Sequence, residues 1–330
     1  MTSQSVLCSG CSTELAPGLL SCPSCARLVH AVRLTELASA AALAEQNEDW
    51  TGALTAWREA IMLLPVGSRQ RQAAELKIAA LSPRVESSPK HAGLPWWKRA
   101  SSLGPVGIFL AVLGKLKFLL LGFSKLGTLM TFLLALSVYW ALWGWEFALC
   151  FLLSIYVHEM GHVAALNSYG IPATAPMFIP GFGALVRLKQ NPASAIEDAR
   201  VGLAGPIWGL GAALAAFAVY ALTGNAFWGA VARAGAWINL FNLLPVWQLD
   251  GGRGLRSLDR IQIFVLAALT GGLWYFTKEG LLILIGLLLA FRAFTKRDQP
   301  AETDWTGFIQ FAGLLAALSL LCLIPMPALR

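Results

Sequence analysis

Long apolar runs fill the chain from residue 104 onward, and they constrain its fold more than any other feature. A membrane-crossing helix needs about 20 apolar residues, or fewer when it is broken or its flanks reach the interface. Only 13% of the 330 residues are charged, against about 25% in soluble domains. We therefore predict a mainly α, polytopic membrane protein behind a polar N-terminal region. The runs cover about residues 104–123, 127–144, 146–166, 201–222, 227–249, 261–276, 280–294 and 307–325.

The first apolar run differs from the others because it contains basic residues. Lys115 and Lys117 lie near its middle, and Lys125 follows it. Two ammonium groups at bilayer depth are costly. We therefore interpret 104–126 as an interfacial or re-entrant helix. Seven runs then remain, and we expect about six transmembrane helices from them within a domain that covers 127–330.

Four cysteines near the N-terminus form two CxxC pairs: Cys8 with Cys11, and Cys22 with Cys25. Four thiolates at this spacing can surround one metal ion, so residues 1–30 predict a zinc ribbon with a structural zinc. Two disulfides or an iron site would use the same cysteines. The segment has no apolar stretch typical of a secretory signal, which argues against disulfides. The short spacing and the lack of aromatic residues argue against iron.

Residues 31–81 carry small and apolar residues at helical spacing, in two groups on either side of a turn near 47–52. This pattern resembles a single tetratricopeptide repeat, although an ordinary helical hairpin is an alternative. One repeat alone cannot bury its apolar face, so we expect it to pack on a following helix over 68–81, on the ribbon or on a partner. The residues concerned are Leu37, Ala40, Ala41, Ala44, Ala53, Trp57, Ala60 and Pro65.

Residues 82–103 are rich in Pro, Ser and Lys and predict a linker. The linker ends in a WWKR sequence at 96–99. Paired tryptophans beside cations are typical of a membrane interface, where the rings lie among the headgroups. A surface patch on the polar region is the alternative interpretation.

The run over 146–166 contains the motif HEMGH at 158–162. His158 and His162 lie four residues apart, so both side chains share one helix face and can bind one zinc ion. Glu159 between them can take a proton from metal-bound water. A catalytic zinc also needs a third protein ligand. The candidate is Asp250, which follows another apolar run in the sequence NLLPVWQLDG.

HEMGH at 158–162, LAGP at 203–206 and NLLPVWQLDG at 242–251 resemble, in order and spacing, the site-2 protease family of intramembrane zinc metalloproteases. The resemblance covers about residues 127–256. It implies that the zinc ligands are His158, His162 and Asp250, with Glu159 as the general base.

The same resemblance implies a role for Asn242, which matches the asparagine of the family motif. This residue would position the substrate or polarise its carbonyl. Asn239 is a weaker neighbour with the same candidate role. Either asparagine could instead form hydrogen bonds within a broken helix.

Residues 177–190 follow the HEMGH helix and contain helix-breaking Pro and Gly residues. Val186 and Leu188 would face one side of a strand there, with Arg187 and Lys189 on the other. The family has a membrane-associated β-hairpin in this position, and proteases often bind substrate along a strand edge. We therefore predict a β-hairpin with Val186 and Leu188 at a substrate-binding edge. A polar surface loop is the alternative.

Basic residues cluster in the loops next to both metal motifs, whereas the loop between the runs at 201–222 and 227–249 is uncharged. Positive loops mark the cytoplasmic side. We expect an integral protein of the bacterial inner membrane with a cytoplasmic N-terminal domain. The basic residues are Arg187, Lys189, Arg200, Arg253, Arg256 and Arg260.

The resemblance implies a zinc metalloendopeptidase that cuts membrane-protein substrates within or near the bilayer, in regulated intramembrane proteolysis. It would hold one catalytic and one structural Zn²⁺. We expect transmembrane protein substrates, contact with membrane lipid, and a cytoplasmic regulator that binds residues 1–81. The short basic clusters do not indicate nucleic-acid binding.

The sequence leaves three other classes of protein as alternatives. A membrane-anchored binding or scaffold protein would use only the N-terminal region to recruit partners. A prenyl-protein protease would take a downstream glutamate as its third ligand, instead of the LDG aspartate found here. A transporter is the third alternative, but its function would not require an HExxH motif.

Overall fold

The computed structural model describes residues 6–87, 126–181, 183–246, 249–295 and 303–325. The chain divides into two compact units. The first comprises Met1–Leu94 and Ser168–Ile171, and the second comprises Pro95–Asn167 and Pro172–Arg330. The predicted interfacial helix at 104–126 lies outside the described residues except for its last residue. The predicted tryptophan pair Trp96 and Trp97 lies outside them entirely.

The first unit begins with a short antiparallel pair of strands, β1 (Val6–Leu7) and β2 (Glu14–Leu15). Three helices follow: α1 (Ala31–Gln46), α2 (Trp50–Met62) and α3 (Arg69–Ser87). Helix α2 packs on both α1 and α3. Alanines at the α1–α2 contact let the two helices approach closely. Such packing also occurs in ordinary helical hairpins, so the tetratricopeptide interpretation stays a prediction. The buried residues at this contact are Leu37, Ala41, Ala56 and Ala60.

Helix α3 is longer than predicted, so the linker expected from residue 82 begins later. Pro83 lies inside the helix, where it donates no backbone hydrogen bond. Ser82 and Val85 on the same turn are nevertheless buried. Burial of this face accounts for the helix continuing beyond the proline. Within the same unit, the buried Arg58 donates a hydrogen bond from Nε to the carbonyl of Tyr169 at 2.9 Å.

The second unit is mainly helical, as predicted, with one small sheet. Helix α6 packs on α7, α8 and α11, and α9 packs on α10. Leu203, Leu240 and Phe311 are fully buried where these helices meet. The elements are α4 (Leu126–Trp143), α5 (Trp145–Ser168), β3 (Met177–Ile179), β4 (Gly183–Leu185), α6 (Ala195–Thr223), α7 (Ala226–Asn242), α8 (Asp250–Gly254), α9 (Arg260–Thr277), α10 (Gly280–Thr295) and α11 (Trp305–Leu321).

Three helices of the described part, α4, α5 and α6, are long and apolar enough to cross a membrane. Helices α10 and α11 are also apolar but have only 16 and 17 residues. Many large apolar side chains on these helices are exposed, among them Leu134, Leu142 and Leu287. This exposure fits contact with lipid. The expected total of six crossings stays a prediction.

Helix α7 ends at Asn242, although the apolar run continues to residue 249. The break precedes Pro245, which disfavours a helical conformation in the residue before it. The guanidinium of Arg292 donates from Nε to the Pro245 carbonyl at 3.1 Å, which satisfies an acceptor released by the break. Helix α8 then begins at Asp250. The break therefore brings Asp250 to the start of a separate short helix.

Helix α6 begins at Ala195, six residues before the apolar run that predicted it. Ser194 caps its N-terminus and accepts a hydrogen bond from the Glu197 amide at 3.0 Å. The first turns contain Glu197 and Asp198, both of which are buried. Hydropathy alone missed these turns, because their polar groups are satisfied by partners rather than by water.

The predicted hairpin is present, but its strands are shorter than expected. Strand β3 pairs antiparallel with β4, and Met177 lies opposite Leu185. Strand β4 ends before Val186, so the predicted strand does not extend through residue 189. Backbone pairing resumes beyond it, where Thr174 donates to the Arg187 carbonyl and Lys189 donates to the Pro172 carbonyl, both at 3.0 Å.

The hairpin is fixed on α4. The buried ring of Phe178 meets Phe132 edge-on, with 5.1 Å between ring centroids. The Gly181 amide donates to the hydroxyl of Tyr139 at 3.0 Å. Gly181 and Gly183 have φ of 82° and 90°, which few residues other than glycine adopt. These contacts give the hairpin a defined position beside the transmembrane helices.

Candidate metal centre

Helix α5 brings the two histidines of HEMGH together. His158 and His162 are buried one turn apart, with 3.2 Å between their Nε2 atoms. Helical periodicity alone accounts for this pairing, because side chains at i and i+4 lie on the same face. Two imidazole nitrogens directed at one point in a buried site form an incomplete ligand set for a metal ion.

Asp250 completes the set from the first residue of α8. Its Oδ2 lies 3.0 Å from Nε2 of His158, and its Oδ1 lies 3.2 Å from Nε2 of His162. Ligands about 2.0–2.1 Å from a tetrahedral zinc are about 3.3 Å apart. The three donor atoms therefore have nearly the separation that one zinc ion requires.

Hydrogen bonds to the other ring nitrogens fix both histidines. Nδ1 of His158 lies 2.7 Å from Oδ1 of Asn239, and Nδ1 of His162 lies 2.8 Å from the carbonyl oxygen of Val201. Asn239 donates from Nδ2 to the Gly235 carbonyl at 2.7 Å, which directs its Oδ1 at the imidazole. Both partners are acceptors, so each Nδ1 carries the proton. Each Nε2 then keeps its lone pair for a metal.

Glycine residues in α6 leave the space that the site needs. A Cβ atom on Gly205 would lie 2.2 Å from Nε2 of His162 and 2.7 Å from Nε2 of His158. A Cβ atom on Gly202 would lie 2.7 Å from Cβ of Arg253, next to the Asp250 helix. Even an alanine at 205 would thus occupy the space beside the paired nitrogens.

The metal ligands open onto a cavity of about 650 Å³. Glu159 is buried and lines this cavity with the three ligands. The rest of the lining is largely apolar and contains both predicted substrate-binding residues of the hairpin, Val186 and Leu188. Arg187 and Lys189 point outward and are exposed, in agreement with the predicted alternation. Aromatic side chains also line the cavity, namely Tyr139, Phe151, Trp237 and Phe241.

The two asparagines of α7 differ in their places at the site. Asn242 lines the cavity, and its Nδ2 lies 3.4 Å from Nε2 of His158. Asn239 is fully buried and holds the same ring from the opposite nitrogen. From the sequence, Asn239 was predicted to be the weaker candidate of the two. The only sequence signal for it was its place one turn before Asn242 on the same helix.

The four ribbon cysteines form a second cluster with ligand geometry. Their sulfurs all lie within 4.8 Å of one another. The Sγ atoms of Cys8 and Cys25 are 3.6 Å apart, and those of Cys11 and Cys22 are 3.5 Å apart. Sulfurs bound to a tetrahedral zinc are about 3.8 Å apart. All four are free thiols, as the metal interpretation requires.

The two knuckles repeat one backbone arrangement. Cys8 donates from its amide to the Thr13 carbonyl, and Cys22 donates to the Arg27 carbonyl, each at 2.9 Å. In each knuckle a residue with left-handed backbone conformation lies four positions after this cysteine. These residues are Ser12 and Ala26, both with φ of 56°. This repetition directs four sulfurs from two equivalent turns towards one point.

The thiols of this cluster influence one another strongly. Hydrogen bonds from Thr13 lower the pKa of Cys11 to about 6. The Arg27 amide lowers the pKa of Cys25. The Cys11 and Cys8 thiols and burial together raise it by more, so the pKa of Cys25 rises to about 12. Four sulfurs this close cannot all ionise without a cation. A bound metal cation would let several of these thiols ionise together.

Comparison with known proteins supports the resemblance to site-2 proteases. A model of Peptidase family M50 matches residues 146–225, which include HEMGH and LAGP but not Asp250. An Arabidopsis thaliana protein described as "Probable zinc metalloprotease EGY2, chloroplastic" is 30% identical over 151 residues. The aligned part is 43% of this chain and 25% of that protein, so the chain spans about a quarter of the relative's length. No solved structure matches the chain.

The two matches and the geometry support the same class of protein. They indicate membrane, protease, metalloprotease and zinc-binding character. The ribbon lies outside the residues that the family model matches. The zinc-ribbon interpretation thus rests on the cysteine cluster alone and stays a prediction.

Proposed function

We propose that the chain is an intramembrane zinc metalloprotease that hydrolyses peptide bonds of transmembrane substrates. One observation carries the proposal. His158, His162 and Asp250 converge in a buried cluster of ligand geometry, on a cavity that Glu159 also lines. Three protein ligands are the number found in catalytic zinc sites, which keep one position for water or substrate.

The donor set fits zinc, with two neutral imidazoles and one carboxylate. A zinc ion bound there would supply Lewis-acid chemistry, which polarises a peptide carbonyl and makes water more acidic. Asn239 and the Val201 carbonyl hold the two rings in the tautomer that binds a metal. Gly205 keeps the neighbouring space clear.

Glu159 is the general base in this proposal. Its carboxylate takes a proton from the attacking water and later returns it to the leaving amine. The side chain is buried beside the ligands and lines the cavity, so a bound peptide would lie close to it. Asn242 lines the same cavity, where its amide can donate a hydrogen bond to the scissile carbonyl.

The substrate is proposed to bind as an extended strand along the hairpin. Val186 and Leu188 offer apolar contacts at the cavity, and β4 offers a strand edge near them. A transmembrane helix hides its carbonyls in hydrogen bonds, so the substrate must unwind before cleavage. We place this reaction in regulated intramembrane proteolysis at the bacterial inner membrane.

The N-terminal region is proposed to hold the second zinc and to face the cytoplasm. The shell of Cys8, Cys11, Cys22 and Cys25 is closed, so this zinc would stabilise the ribbon and take no part in chemistry. The ribbon and the helices over 31–81 would recruit a regulator or substrate. The proposed total is one catalytic and one structural zinc per chain.

The proposal is tested with the purified full chain in detergent. It should hydrolyse an unfolded protein substrate, lose activity with a zinc chelator and regain it when Zn²⁺ is restored. Absence of hydrolysis from zinc-loaded protein would contradict the proposal. It would favour the alternative of a membrane-anchored binding protein.

A further inference from the structure

An ionic cluster around the buried Asp198 lies next to the candidate metal centre and has no part in the function described so far. Asp198, near the start of α6, accepts hydrogen bonds at Oδ1 from Arg253, from Nε at 2.8 Å and from Nη2 at 2.7 Å. Its Oδ2 accepts from Nη1 of Arg256 at 2.6 Å. The Asp198 side chain is only 6% exposed. A carboxylate buried this deeply requires such partners.

The cluster is attached to the helix that carries the third metal ligand. Helix α8 contains both Asp250 and Arg253 and has only five residues. So short a helix has little stability of its own, because one turn barely repays the cost of helix nucleation. The break after Asn242 also separates it from α7. The position of Asp250 must therefore depend on what α8 contacts.

Helix α6 supplies that contact at close range. Gly202, one turn after Asp198, allows the backbones to meet, since a Cβ there would lie 3.0 Å from the Asp250 carbonyl oxygen. The neighbouring Val201 carbonyl accepts from His162 Nδ1. One stretch of α6 thus orients a histidine ligand directly and contacts the aspartate ligand's helix through an ion pair.

We propose that Asp198 is a positioning residue that acts through Arg253 to hold the Asp250 carboxylate at the metal centre. Removing Asp198 leaves Arg253, whose side chain is only 18% exposed, without this counter-charge. Arg253 would then move, and α8 with it. The inference rests on the proposed zinc centre but is independent of proteolysis.

A second ionic cluster in the same unit provides a matched control. Asp304 is buried and accepts two hydrogen bonds from Arg200, at 2.8 and 2.7 Å, and one from Ser257 at 2.6 Å. It also joins α6 to a later part of the chain. Its side-chain partners lie outside α8, so its loss should affect stability without displacing Asp250.

The experiment measures the zinc dissociation constant by chelator competition on the purified full chain. Cys22→Ser and Cys25→Ser are present throughout, so that only one site binds metal. The variants are Asp198→Asn, Arg253→Gln, their combination and Asp304→Asn. Thermal unfolding of each variant without metal is measured alongside.

Asp198→Asn and Arg253→Gln should each weaken zinc binding about 10- to 100-fold, the usual effect of losing a group that orients a ligand. The double variant should be no weaker than the worse single variant, because both changes break one linkage. Asp304→Asn should lower the unfolding temperature while zinc affinity stays within about threefold of the parent.

Three results would overturn the inference. Unchanged zinc affinity in Asp198→Asn would show that the ion pair does not position Asp250. Equal losses of affinity in Asp198→Asn and Asp304→Asn would show a general structural effect. Additive losses in the double variant would show that Asp198 does not act through Arg253. No zinc binding by the parent would instead overturn the metal centre itself, and the inference with it.

Discussion

The two ligand clusters of this chain are built in opposite ways. The four cysteines come from 18 consecutive residues, Cys8–Cys25, and from two turns with the same backbone arrangement. The His158, His162 and Asp250 cluster comes from two helices with α6 and α7 between them in sequence. The first is closed by four sulfurs, and the second opens onto a cavity. A local cluster suits a structural metal, and an assembled one suits chemistry.

The difference also determines what each cluster depends on. The ribbon ligands are held by short-range backbone hydrogen bonds within their own knuckles. The buried ligands depend on Asn239, on the Val201 carbonyl and, as inferred above, on Asp198. A change far away in sequence can therefore impair the second cluster but not the first.

The largest effect is expected at the third ligand. Asp250→Ala should reduce zinc at the buried site from about one per chain to nearly none, because two imidazoles alone bind zinc weakly. The control is Asp259→Ala, which removes the N-cap of α9 and a hydrogen bond from Thr303 but no candidate metal ligand. Metal analysis is done with the ribbon cysteines replaced. Equal zinc in the two variants would remove Asp250 from the ligand set.

Loss of the ribbon site tests the independence of the two clusters. Cys22→Ser with Cys25→Ser should abolish one of two bound zinc ions and unfold residues 5–28, which have little core of their own. The HEMGH site and the cleavage of an unfolded substrate in detergent should survive. Cys150→Ser is the control. Loss of detergent activity together with the buried zinc would make the ribbon part of the catalytic fold.

The same double variant also tests the role of the N-terminal region. Cleavage of the physiological substrate in the membrane should fall if the ribbon helps to recruit it. Cleavage measured in native membranes, beside the detergent assay, separates recruitment from catalysis. Unchanged cleavage in both assays would show that the ribbon does not contribute to substrate selection.

Gly205→Ala tests how tightly the buried cluster is packed. The added methyl group would meet both Nε2 atoms, so hydrolysis should fall about a hundredfold, as when catalytic groups are displaced by about 1 Å. Gly211→Ala on the same helix is the control, because a Cβ there has nothing within 4 Å. Similar activities of the two variants would show that this close approach does not constrain the site.

A smaller effect is expected from the hydrogen bond behind His158. Asn239→Leu keeps the volume but removes the acceptor at Nδ1, so zinc affinity should fall about tenfold. The exposed Asn167→Ala, on the same helix as the histidines, should leave affinity unchanged. A dissociation constant for Asn239→Leu equal to that of the parent would exclude a role in orienting the imidazole.

Most helices could be predicted from the sequence, because an apolar run long enough for a membrane leaves few alternatives. The ends of α3, α6 and α7 could not. Pro83 does not end α3, because burial of the surrounding turn outweighs the lost hydrogen bond. The polar start of α6 has no hydropathy signal, since the buried Asp198 carboxylate is satisfied by distant arginines and that of Glu197 by the Ala193 amide.

The residues of the site also divide into those that the sequence predicts and those that it does not. The pairing of His158 with His162 follows from helix geometry, and Asp250 was identified through the resemblance to a family. Asn239, Gly205 and Asp198 act through contacts between helices, and no spacing in the sequence reveals such contacts. The sequence therefore identified the candidate metal ligands but missed most of the groups that hold them in place.

In the proposed mechanism, Glu159 performs catalysis beside a zinc ion held by its neighbours. Glu159→Gln tests it most directly, with zinc content and peptide hydrolysis measured on the same purified sample. Glu146→Gln, an exposed position in the first turn of the same helix, is the control. Both variants should keep full zinc content, and hydrolysis should be at least about 100-fold slower in Glu159→Gln alone. Hydrolysis near the wild-type rate in the zinc-loaded Glu159→Gln protein would contradict this mechanism.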